Sequence, residues 1–305
     1  MHCRMCIRAI KTFAGPDMDF GLFKKIINEW VPALRYLSMD GPGETVMNPN
    51  AFRMIQYAKS RGVRVMFSTN AALLDPDMAA AIMDSGLDLI IFSVNGSSPD
   101  VYETVHGCNR YHEIVANIRQ FLSYKKARQS PILVAIQMIL LPETLGQAGA
   151  FYRQWQRIPG VDIVRVKKDV VQVENACLKE FGRHAKRRNP CSRLWHGPVY
   201  VEPNGDVYAS PGVLFKADPV GNLKEQTLSQ VWNNERMQGM RRAHVAEDFS
   251  GIPECAECAY PRPRLPLILA GFLSDPFTAG KYIALTEKMA FLHRLRLYEP
   301  VRFES

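Results

Sequence analysis

The chain opens with Met1-His2-Cys3-Arg4-Met5-Cys6-Ile7-Arg8, and this stretch decides how the rest of the sequence is interpreted. Cys3 and Cys6 have the spacing of the last two cysteines in a C-x3-C-x2-C loop, which supplies three thiolates to an iron–sulfur cluster and leaves the fourth iron open. The first cysteine of that loop would stand upstream of Met1. We therefore expect an opening strand and one ligand that this sequence does not include. A C-x2-C pair alone more often binds zinc, or nothing.

The composition bounds the size and class of the protein. A chain of 305 residues with 47% hydrophobic residues can form one large domain or two smaller ones. No apolar run approaches the ~20 residues that a membrane-spanning helix needs, and the first residues show no signal-peptide pattern. The net charge of +8 suits an anionic partner. No nucleic-acid-binding module is present, so nucleic acid is not an expected partner.

The cysteine content indicates a reducing compartment. Without an export signal, thiols bind metals more often than they form disulfides, and an odd number points the same way. We therefore predict a cytoplasmic protein. The seven cysteines are Cys3, Cys6, Cys108, Cys177, Cys191, Cys255 and Cys258. Cys108 and Cys177 have no motif around them and are expected to be plain thiols, and His106 is expected to pack in a loop.

From residue 17 to residue 168 the sequence alternates between helix and strand patterns. Apolar residues at helical spacing predict a first helix that Asp17 caps. A further helix is predicted at Asn50–Arg61. Strands that lie roughly 25–40 residues apart are typical of βα units, so the sheet should be parallel. The predicted strands are residues 34–39, 63–67, 87–92, 131–140 and 161–167.

For residues 1–170 we predict an α/β fold, a partial (β/α)6 barrel similar to a TIM barrel. Its first strand would precede Met1, and its chemistry would lie at the C-terminal ends of the strands. The alternative is a doubly wound sheet, although no G-x-G-x-x-G follows any strand. Residues 171–190 are basic and are interpreted as a linker.

In the C-terminal part, the sequence pattern changes to short strands and turns, and we predict a small α+β domain over residues 191–262. Short strands flank a turn at Asn204-Gly205, and a helix is expected at 228–242, before Cys255 and Cys258. Residues 263–305 are predicted to form a helical tail that packs on the protein. The alternative is contact between the basic face of this tail and anionic lipid.

Small and polar residues follow three of the predicted strands. They are Gly41-Pro42-Gly43-Glu44-Thr45, Thr69-Asn70 and Ser93-Val94-Asn95. Small residues let the backbone approach a ligand, and the carboxylate of Glu44 could accept an ammonium group. Ordinary βα turns and helix caps are the alternatives.

The order of these motifs resembles that of radical S-adenosylmethionine (radical SAM) enzymes with a C-terminal SPASM or Twitch domain, over roughly Met1 to Tyr260. By this resemblance Cys3 and Cys6 are the second and third thiolate ligands of a [4Fe–4S] cluster that binds S-adenosylmethionine. The Gly43-Glu44 element matches the family's G-G-E-P, except that Thr45 stands in place of proline. The residues implied to hold S-adenosylmethionine are Gly43, Glu44, Asn70, Ser93, Asn95 and Gln137.

The resemblance extends to the C-terminal cysteines. It implies that Cys191, Cys255 and Cys258 bind an auxiliary [4Fe–4S] cluster. The family's second ligand corresponds to Ser210, which either coordinates through oxygen or leaves an iron open to substrate. No cysteine follows Cys258, so at most one auxiliary cluster is expected. The alternative from the residues themselves is a zinc knuckle that only staples the small domain.

The resemblance also implies a reaction and its partners. Family members pass an electron from the first cluster to S-adenosylmethionine, which splits to a 5′-deoxyadenosyl radical that abstracts hydrogen from a substrate. The auxiliary cluster assists the oxidation. We expect an oxidoreductase that modifies a peptide or small molecule of anionic character, with a flavodoxin- or ferredoxin-type reductant; without the first cluster cysteine, the chain as printed would be inactive. The alternative is a truncated, non-catalytic barrel whose C-terminal cysteines bind structural zinc.

Overall fold

The computed structural model describes residues 3–6, 8, 15–31, 33–168, 190–191, 193–209 and 218–256. The chain divides into two compact units. The first comprises Met1–Ala14 and Trp30–Cys177, and the second comprises Gly15–Glu29 and Leu178–Ser305. Apart from Pro190, the predicted linker lies outside the described residues, as does the whole predicted tail. The domain limits proposed from the sequence therefore stay predictions.

Helix α1 (Phe20–Trp30) belongs, except for Trp30, to the second unit, and the first unit is built from alternating strands and helices. Its strands are β1 (Tyr36–Ser38), β2 (Arg64–Thr69), β3 (Leu89–Ser93), β4 (Leu133–Leu140) and β5 (Ile163–Lys168). Its helices are α2 (Ala51–Ser60), α3 (Pro76–Asp84), α4 (Pro99–His106), α5 (Tyr111–Ala127) and α6 (Ala148–Trp155). Single 3-10 turns lie at Thr45–Met47 and Leu145–Gln147.

The strands pair side by side in the order β1-β2-β3-β4-β5, and every pair is parallel. This confirms the predicted parallel α/β sheet. At least one helix connects each strand to the next, so all carboxyl ends lie at the same edge. The strands that the structure describes form an open row and not a closed barrel.

The core of the first unit lies around the central strand β3. Its residues from Leu89 to Phe92 are all buried, as expected for a parallel strand whose two faces are both covered by helices. The ring of Phe92 meets the ring of Phe121 on α5 edge to face, with centroids 5.3 Å apart. Trp155, at the end of α6, is fully buried.

Two aspartates fasten the amino-terminal edge of the sheet. Asp88 precedes β3 and accepts the backbone N–H of Val65 at 2.8 Å, as well as the ammonium of Lys59. Asp162 precedes β5 and accepts the backbone N–H of Val134 at 2.7 Å. Each carboxylate thereby satisfies a strand N–H that the parallel ladder leaves without a partner.

Hydrogen bonds tie helix α1 to the rest of the second unit, to which it belongs. The ammonium of Lys25 donates to the carbonyl of Leu223 at 2.5 Å, and the carboxylate of Glu29 accepts the backbone N–H of Leu228 at 3.0 Å. The predicted cap of α1, Asp17, is wrong. Asp19 accepts the backbone N–H of Leu22 instead, because it stands directly before the first helical residue.

The second unit contains a three-stranded antiparallel sheet in the order β6-β7-β8. The predicted turn at Asn204-Gly205 joins its first two strands. Gly205 has φ +93°, and a side chain there would come within 2.7 Å of the Asn222 amide oxygen, so the position requires glycine. The elements are α7 (Arg193–His196), β6 (Tyr200–Val201), β7 (Asp206–Tyr208), β8 (Gly221–Asn222), α8 (Leu228–Asn233), α9 (Glu235–Ala246) and α10 (Pro253–Ala256).

The single helix predicted at 228–242 is wrong, because Asn234 interrupts it. Asn234 has an extended backbone, and its side-chain oxygen accepts the N–H of Met237 at 2.9 Å, which starts α9. No helix in the described part of the chain is long and apolar enough to cross a membrane.

Truncation of the central strand should destabilise the first unit. Ile90 is completely buried, so Ile90→Ala should lower the free energy of unfolding by about 2–5 kcal/mol through lost burial and a residual cavity. Leu73→Ala removes a similar volume from a side chain that is 46% exposed and should change the stability by less than about 0.5 kcal/mol. Urea unfolding measures both variants, and equal losses would contradict the assigned core.

Candidate functional site

The site residues predicted in the first unit lie along the carboxyl edge of the parallel sheet. They are Gly43 and Glu44 after β1, Asn70 after β2, Ser93 and Asn95 at the end of β3, and Gln137 on β4. Ser93 and Gln137 are partners in the register of β3 and β4. Four neighbouring strands therefore contribute to one edge, the place where βα folds of this type hold their ligands.

The carboxylate of Glu44 is largely buried beside the end of β2. Its Oε2 atom accepts the backbone N–H of Asn70 at 3.2 Å. Burial raises the pKa of Glu44 and Asp40 adds to the rise, whereas the Thr69 hydroxyl and the Asn70 N–H oppose it. The Oε1 atom is buried and has no hydrogen-bond partner among the described residues. A buried acceptor of this kind fits an ammonium donor such as the amino group of S-adenosylmethionine.

Asp40 joins the ends of β1 and β2, a role that the sequence reading missed because a lone aspartate after a strand carries no motif. Its carboxylate accepts the backbone N–H of Ser68 and the hydroxyl of Ser38, both at 2.5 Å. Gly43 in the following loop is exposed, and a side chain built on it would meet nothing within 4 Å. The loop therefore leaves open space beside Gly43, where a ligand could approach the backbone.

Asn95 is turned toward protein groups. It is 1% exposed, and its Oδ1 atom accepts the backbone N–H of Ile139 at 2.8 Å. Its Nδ2 atom lies 3.5 Å from Nε2 of His106. Ser93 and Gln137 are thus neighbours at the edge of the sheet. The side chain of Asn95, in contrast, contacts a residue of β4 and a residue of α4. The roles of these residues toward S-adenosylmethionine stay predictions.

Cys3 and Cys6 lie in one tight turn that is fixed to the first unit. The backbone N–H of Cys6 donates to the carbonyl of Cys3 at 3.0 Å. The backbone N–H of Arg4 donates to the carbonyl of Val105, near the end of α4, at 3.0 Å. Between the two cysteines, Met5 is buried against Val105. The turn therefore has a defined position beside α4.

The Cys3 thiol resists ionisation when no cation is near. Burial, followed by the neighbouring Cys6 thiol, raises the pKa of Cys3 to about 11. A bound metal reverses this balance, because its positive charge stabilises the thiolate. The pair fits two ligands of an iron–sulfur cluster. Within the part of the chain that the structure describes, no group of three or more His, Cys, Asp or Glu side chains could hold a metal on its own.

His106 lies directly against Cys3, and the prediction that it packs in a loop is wrong. It ends α4 and is 2% exposed. Its Nδ1 atom is 3.1 Å from the sulfur of Cys3, and its ring stacks on Tyr102 with centroids 4.2 Å apart. Burial lowers the pKa of His106 to about 4, so its imidazole is neutral at pH 7. The contact with Cys3 joins residues 103 positions apart, which no local sequence pattern reveals.

In the second unit, helix α9 holds the segment that follows Cys191. The backbone N–H of Cys191 donates to Nδ1 of His244 at 3.3 Å. The guanidinium of Arg241 donates through Nε to the carbonyl of Leu194 at 2.7 Å. Arg241 and His244 are three residues apart and lie on the same face of the helix. Two side chains of α9 therefore fix the backbone around this cysteine.

Arg241 brings a buried positive charge to the same segment. It is 7% exposed, and its guanidinium lies over the ring of Trp232, 4.8 Å from the centroid. Burial lowers the pKa of Arg241 to about 10, so the group stays charged at pH 7. Its Nη2 atom is buried without a hydrogen-bond partner in the described residues. A buried cation that has no ion-pair partner among the described residues fits the neighbourhood of a thiolate-ligated cluster, which carries net negative charge.

The remaining predicted ligands of the second unit are only partly described. Cys255 is buried in α10, and its backbone N–H donates to the carbonyl of Ile252 at 2.9 Å. Cys258 and Ser210 lie outside the described residues. The ligand roles of these residues and of Cys191 stay predictions.

Comparison with family models identifies both parts of the chain. The model of the Radical SAM superfamily matches residues 1–153, which is half of the chain. The model of SPASM, described as an iron-sulfur cluster-binding domain, matches residues 191–259.

Curated relatives and solved structures agree with these models. The chain is 33% identical to the tungsten-containing aldehyde ferredoxin oxidoreductase cofactor-modifying protein of Pyrococcus furiosus, over 85% of this chain and 84% of the relative. It is 26% identical to the AdoMet-dependent heme synthase of Methanosarcina barkeri, over 93% and 90%. The fold is similar to that of anSMEcpe with bound AdoMet, with a TM-score of 0.58, 11% identity and coverage of 96% and 95%. It is also similar to that of Streptococcus suis SuiB bound to its precursor peptide, with a TM-score of 0.58, 12% identity and coverage of 78% and 62%.

The parallel sheet with its cysteine turn therefore belongs to a class of iron–sulfur enzymes, those that generate radicals from S-adenosylmethionine. This chain belongs to the radical SAM superfamily, with a partial TIM-like barrel and a SPASM domain for an auxiliary cluster.

Replacement of Glu44 by glutamine should stabilise the first unit above acidic pH. The folded state holds the Glu44 proton more tightly than the unfolded chain does, because folding raises its pKa from the ordinary value of 4.5. The stability of the wild type therefore falls as the pH rises from 4.5 through the raised pKa, whereas Glu44→Gln lacks this loss.

Thermal unfolding of the metal-free protein at a series of pH values measures this difference. We expect the gap between Glu44→Gln and wild type to widen in favour of the variant as the pH rises, and then to level off. Glu103→Gln, which removes the same charge from an exposed position of α4, controls for net charge. A gap that does not change with pH would contradict the assigned environment of Glu44.

Proposed function

We propose that this protein is an oxidoreductase that modifies a peptide or small-molecule precursor of an enzyme cofactor. The observation that carries the proposal is the 33% identity to the cofactor-modifying protein of Pyrococcus furiosus, which extends over most of both chains. The name of the heme synthase relative also describes the building of a cofactor, and that similarity covers 93% of this chain.

In this proposal, the cysteine turn of the first unit holds the reductive [4Fe–4S] cluster through Cys3 and Cys6. When bound, that cluster supplies the electron that splits the sulfonium of S-adenosylmethionine into methionine and a 5′-deoxyadenosyl radical. The backbone hydrogen bond from Arg4 to the carbonyl of Val105 holds the turn in place, and Met5, which is buried, and Cys3, which is partly buried, limit the access of water.

The carboxyl edge of the sheet would hold S-adenosylmethionine. Glu44 offers its buried Oε1 atom to the amino group, and the open space beside Gly43 admits the ligand's main chain. Asn70 stands at the same strand end. Ser93 and Gln137, paired across β3 and β4, offer polar groups to the ribose and the adenine.

The second unit would hold the auxiliary cluster and take part in oxidising the substrate. Cys191, Cys255 and Cys258 supply thiolates, and Ser210 stands in the position of the further ligand. Arg241 contributes a buried positive charge that offsets the charge of the cluster. The net charge of +8 supports an anionic substrate. A flavodoxin- or ferredoxin-type reductant and a cytoplasmic location stay predictions.

Loss of a ligand of the first cluster should abolish cleavage of S-adenosylmethionine. Cys3→Ala and Cys6→Ala should each lower the formation of 5′-deoxyadenosine by more than about 100-fold, because loss of a second-shell partner alone costs 10–100-fold at metal sites. Anaerobic assays of the reconstituted protein, expressed with the cysteine that the motif places upstream of Met1, measure the product formed with a chemical reductant. Cys108→Ala changes a thiol outside the motif and is the matched control. Unchanged cleavage in Cys6→Ala would remove Cys6 from the ligand set.

Loss of a ligand of the auxiliary cluster should separate cleavage from substrate oxidation. Cys255→Ala should keep forming 5′-deoxyadenosine while its iron content falls from about eight to about four atoms per chain. Metal analysis by mass spectrometry checks the iron content. A wild type that holds zinc and no iron in the second unit would overturn the auxiliary cluster.

A further inference from the structure

We propose that Asn95 and His106 form a relay that places an N–H donor on the sulfur of Cys3, and that His106 is thereby a positioning residue that tunes the first cluster. The inference rests on the proposed function, since it takes Cys3 to be a cluster ligand. It assigns to Asn95 a role different from direct contact with S-adenosylmethionine.

The contact with Ile139 fixes the orientation of the Asn95 side chain. An amide oxygen and an amide nitrogen are assigned from their hydrogen-bond partners. The backbone N–H of Ile139 can only donate, so the atom of Asn95 that lies 2.8 Å from it must be the oxygen. The NH2 group of Asn95 then faces His106, at 3.5 Å from Nε2.

The contact with Asn95 fixes the tautomer of His106. The Asn95 NH2 group can only donate, so Nε2 of His106 must act as the acceptor and carries no proton. In such an imidazole the proton sits on Nδ1. That atom lies 3.1 Å from the sulfur of Cys3, so the N–H points at the sulfur.

The surroundings hold this arrangement rigidly. Asn95 and His106 are almost completely buried, which keeps water from competing for their hydrogen bonds. The His106 ring is stacked on Tyr102, and Gly96 brings the loop so close to α4 that an added side chain would lie 3.0 Å from the Tyr102 nitrogen. Ile139 belongs to β4 and cannot move without breaking the sheet.

The relay has an electrostatic consequence for the cluster. Reduction adds negative charge, part of which lies on the ligand sulfurs. An N–H that points at the Cys3 sulfur stabilises the reduced state and raises the reduction potential, as hydrogen bonds to cluster sulfurs do in general. A neutral imidazole does this without adding a full positive charge beside S-adenosylmethionine.

Two substitutions at His106 separate the hydrogen bond from packing. His106→Leu removes the donor and should lower the equilibrium constant for one-electron reduction about tenfold, the factor expected for one hydrogen bond to a charged group, which corresponds to about 59 mV. His106→Asn places an amide nitrogen near the position of Nδ1 and should keep most of the wild-type potential. Redox titration of the reconstituted protein, expressed with the cysteine that the motif places upstream of Met1 and followed by electron paramagnetic resonance, measures the potentials, and the auxiliary cluster is the internal control.

A second measurement needs no variant. Pulsed electron paramagnetic resonance of the reduced wild-type cluster should show coupling to a histidine nitrogen that changes when the protein carries ¹⁵N-histidine. Absence of this coupling overturns the relay, even where His106→Leu fails to fold. Equal potentials in His106→Leu and wild type would do the same. A wild type without a first cluster would refute the proposed function instead.

Discussion

The need of each strand end for a hydrogen-bond partner shapes the whole of the first unit. Where parallel pairing stops, backbone N–H groups are left without carbonyl acceptors, and side-chain oxygens take their place. Asp88 does this at the amino-terminal edge of the sheet. Asp40 does it at the carboxyl edge for Ser68, and Asn95 does it for Ile139. The polar residues that gather at the carboxyl edge are thus in part required by the sheet itself, before any ligand binds.

This constraint decides how much of each polar side chain remains for a ligand. The Oε2 atom of Glu44 accepts the backbone N–H of Asn70, whereas Oε1 has no hydrogen-bond partner among the described residues. Glu44 can therefore bind the end of β2 and still accept a hydrogen bond from an ammonium group. Asn95 directs its oxygen to Ile139 and its nitrogen to His106. The presence of the expected residue type at a strand end therefore does not establish that the residue binds a ligand. The role depends on which of its atoms the backbone has already engaged.

The sequence predicts the regularly spaced strands and helices, but it does not predict contacts between residues that are far apart in the chain. The parallel sheet follows from strand spacing and from continuous apolar runs such as that of β3. The helix caps were only partly predictable. Asp17 and Asp19 are both residues that suit an N-cap, and no apolar neighbour of Asn234 marks the point where one helix ends and the next begins. The placement of His106 on Cys3 could not be predicted, since it depends on the packing of α4 against a turn 103 residues away.

Both units use a histidine to hold a cysteine segment, yet the two histidines act in opposite ways. His106 faces a sulfur with Nδ1, and the relay from Asn95 puts the proton on that atom. In the second unit, Nδ1 of His244 accepts the backbone N–H of Cys191, so a neutral His244 carries its proton on Nε2. Its effect at this contact is on the loop and not on the sulfur. In the second unit, the electrostatic effect on the segment around Cys191 comes from Arg241, whose full charge acts over a longer range than an N–H dipole. With the ligands proposed above, a neutral donor would lie beside the first cluster and a cation beside the second. The first centre would then have the weaker stabilisation of added electrons, which suits a centre that must give an electron to a sulfonium.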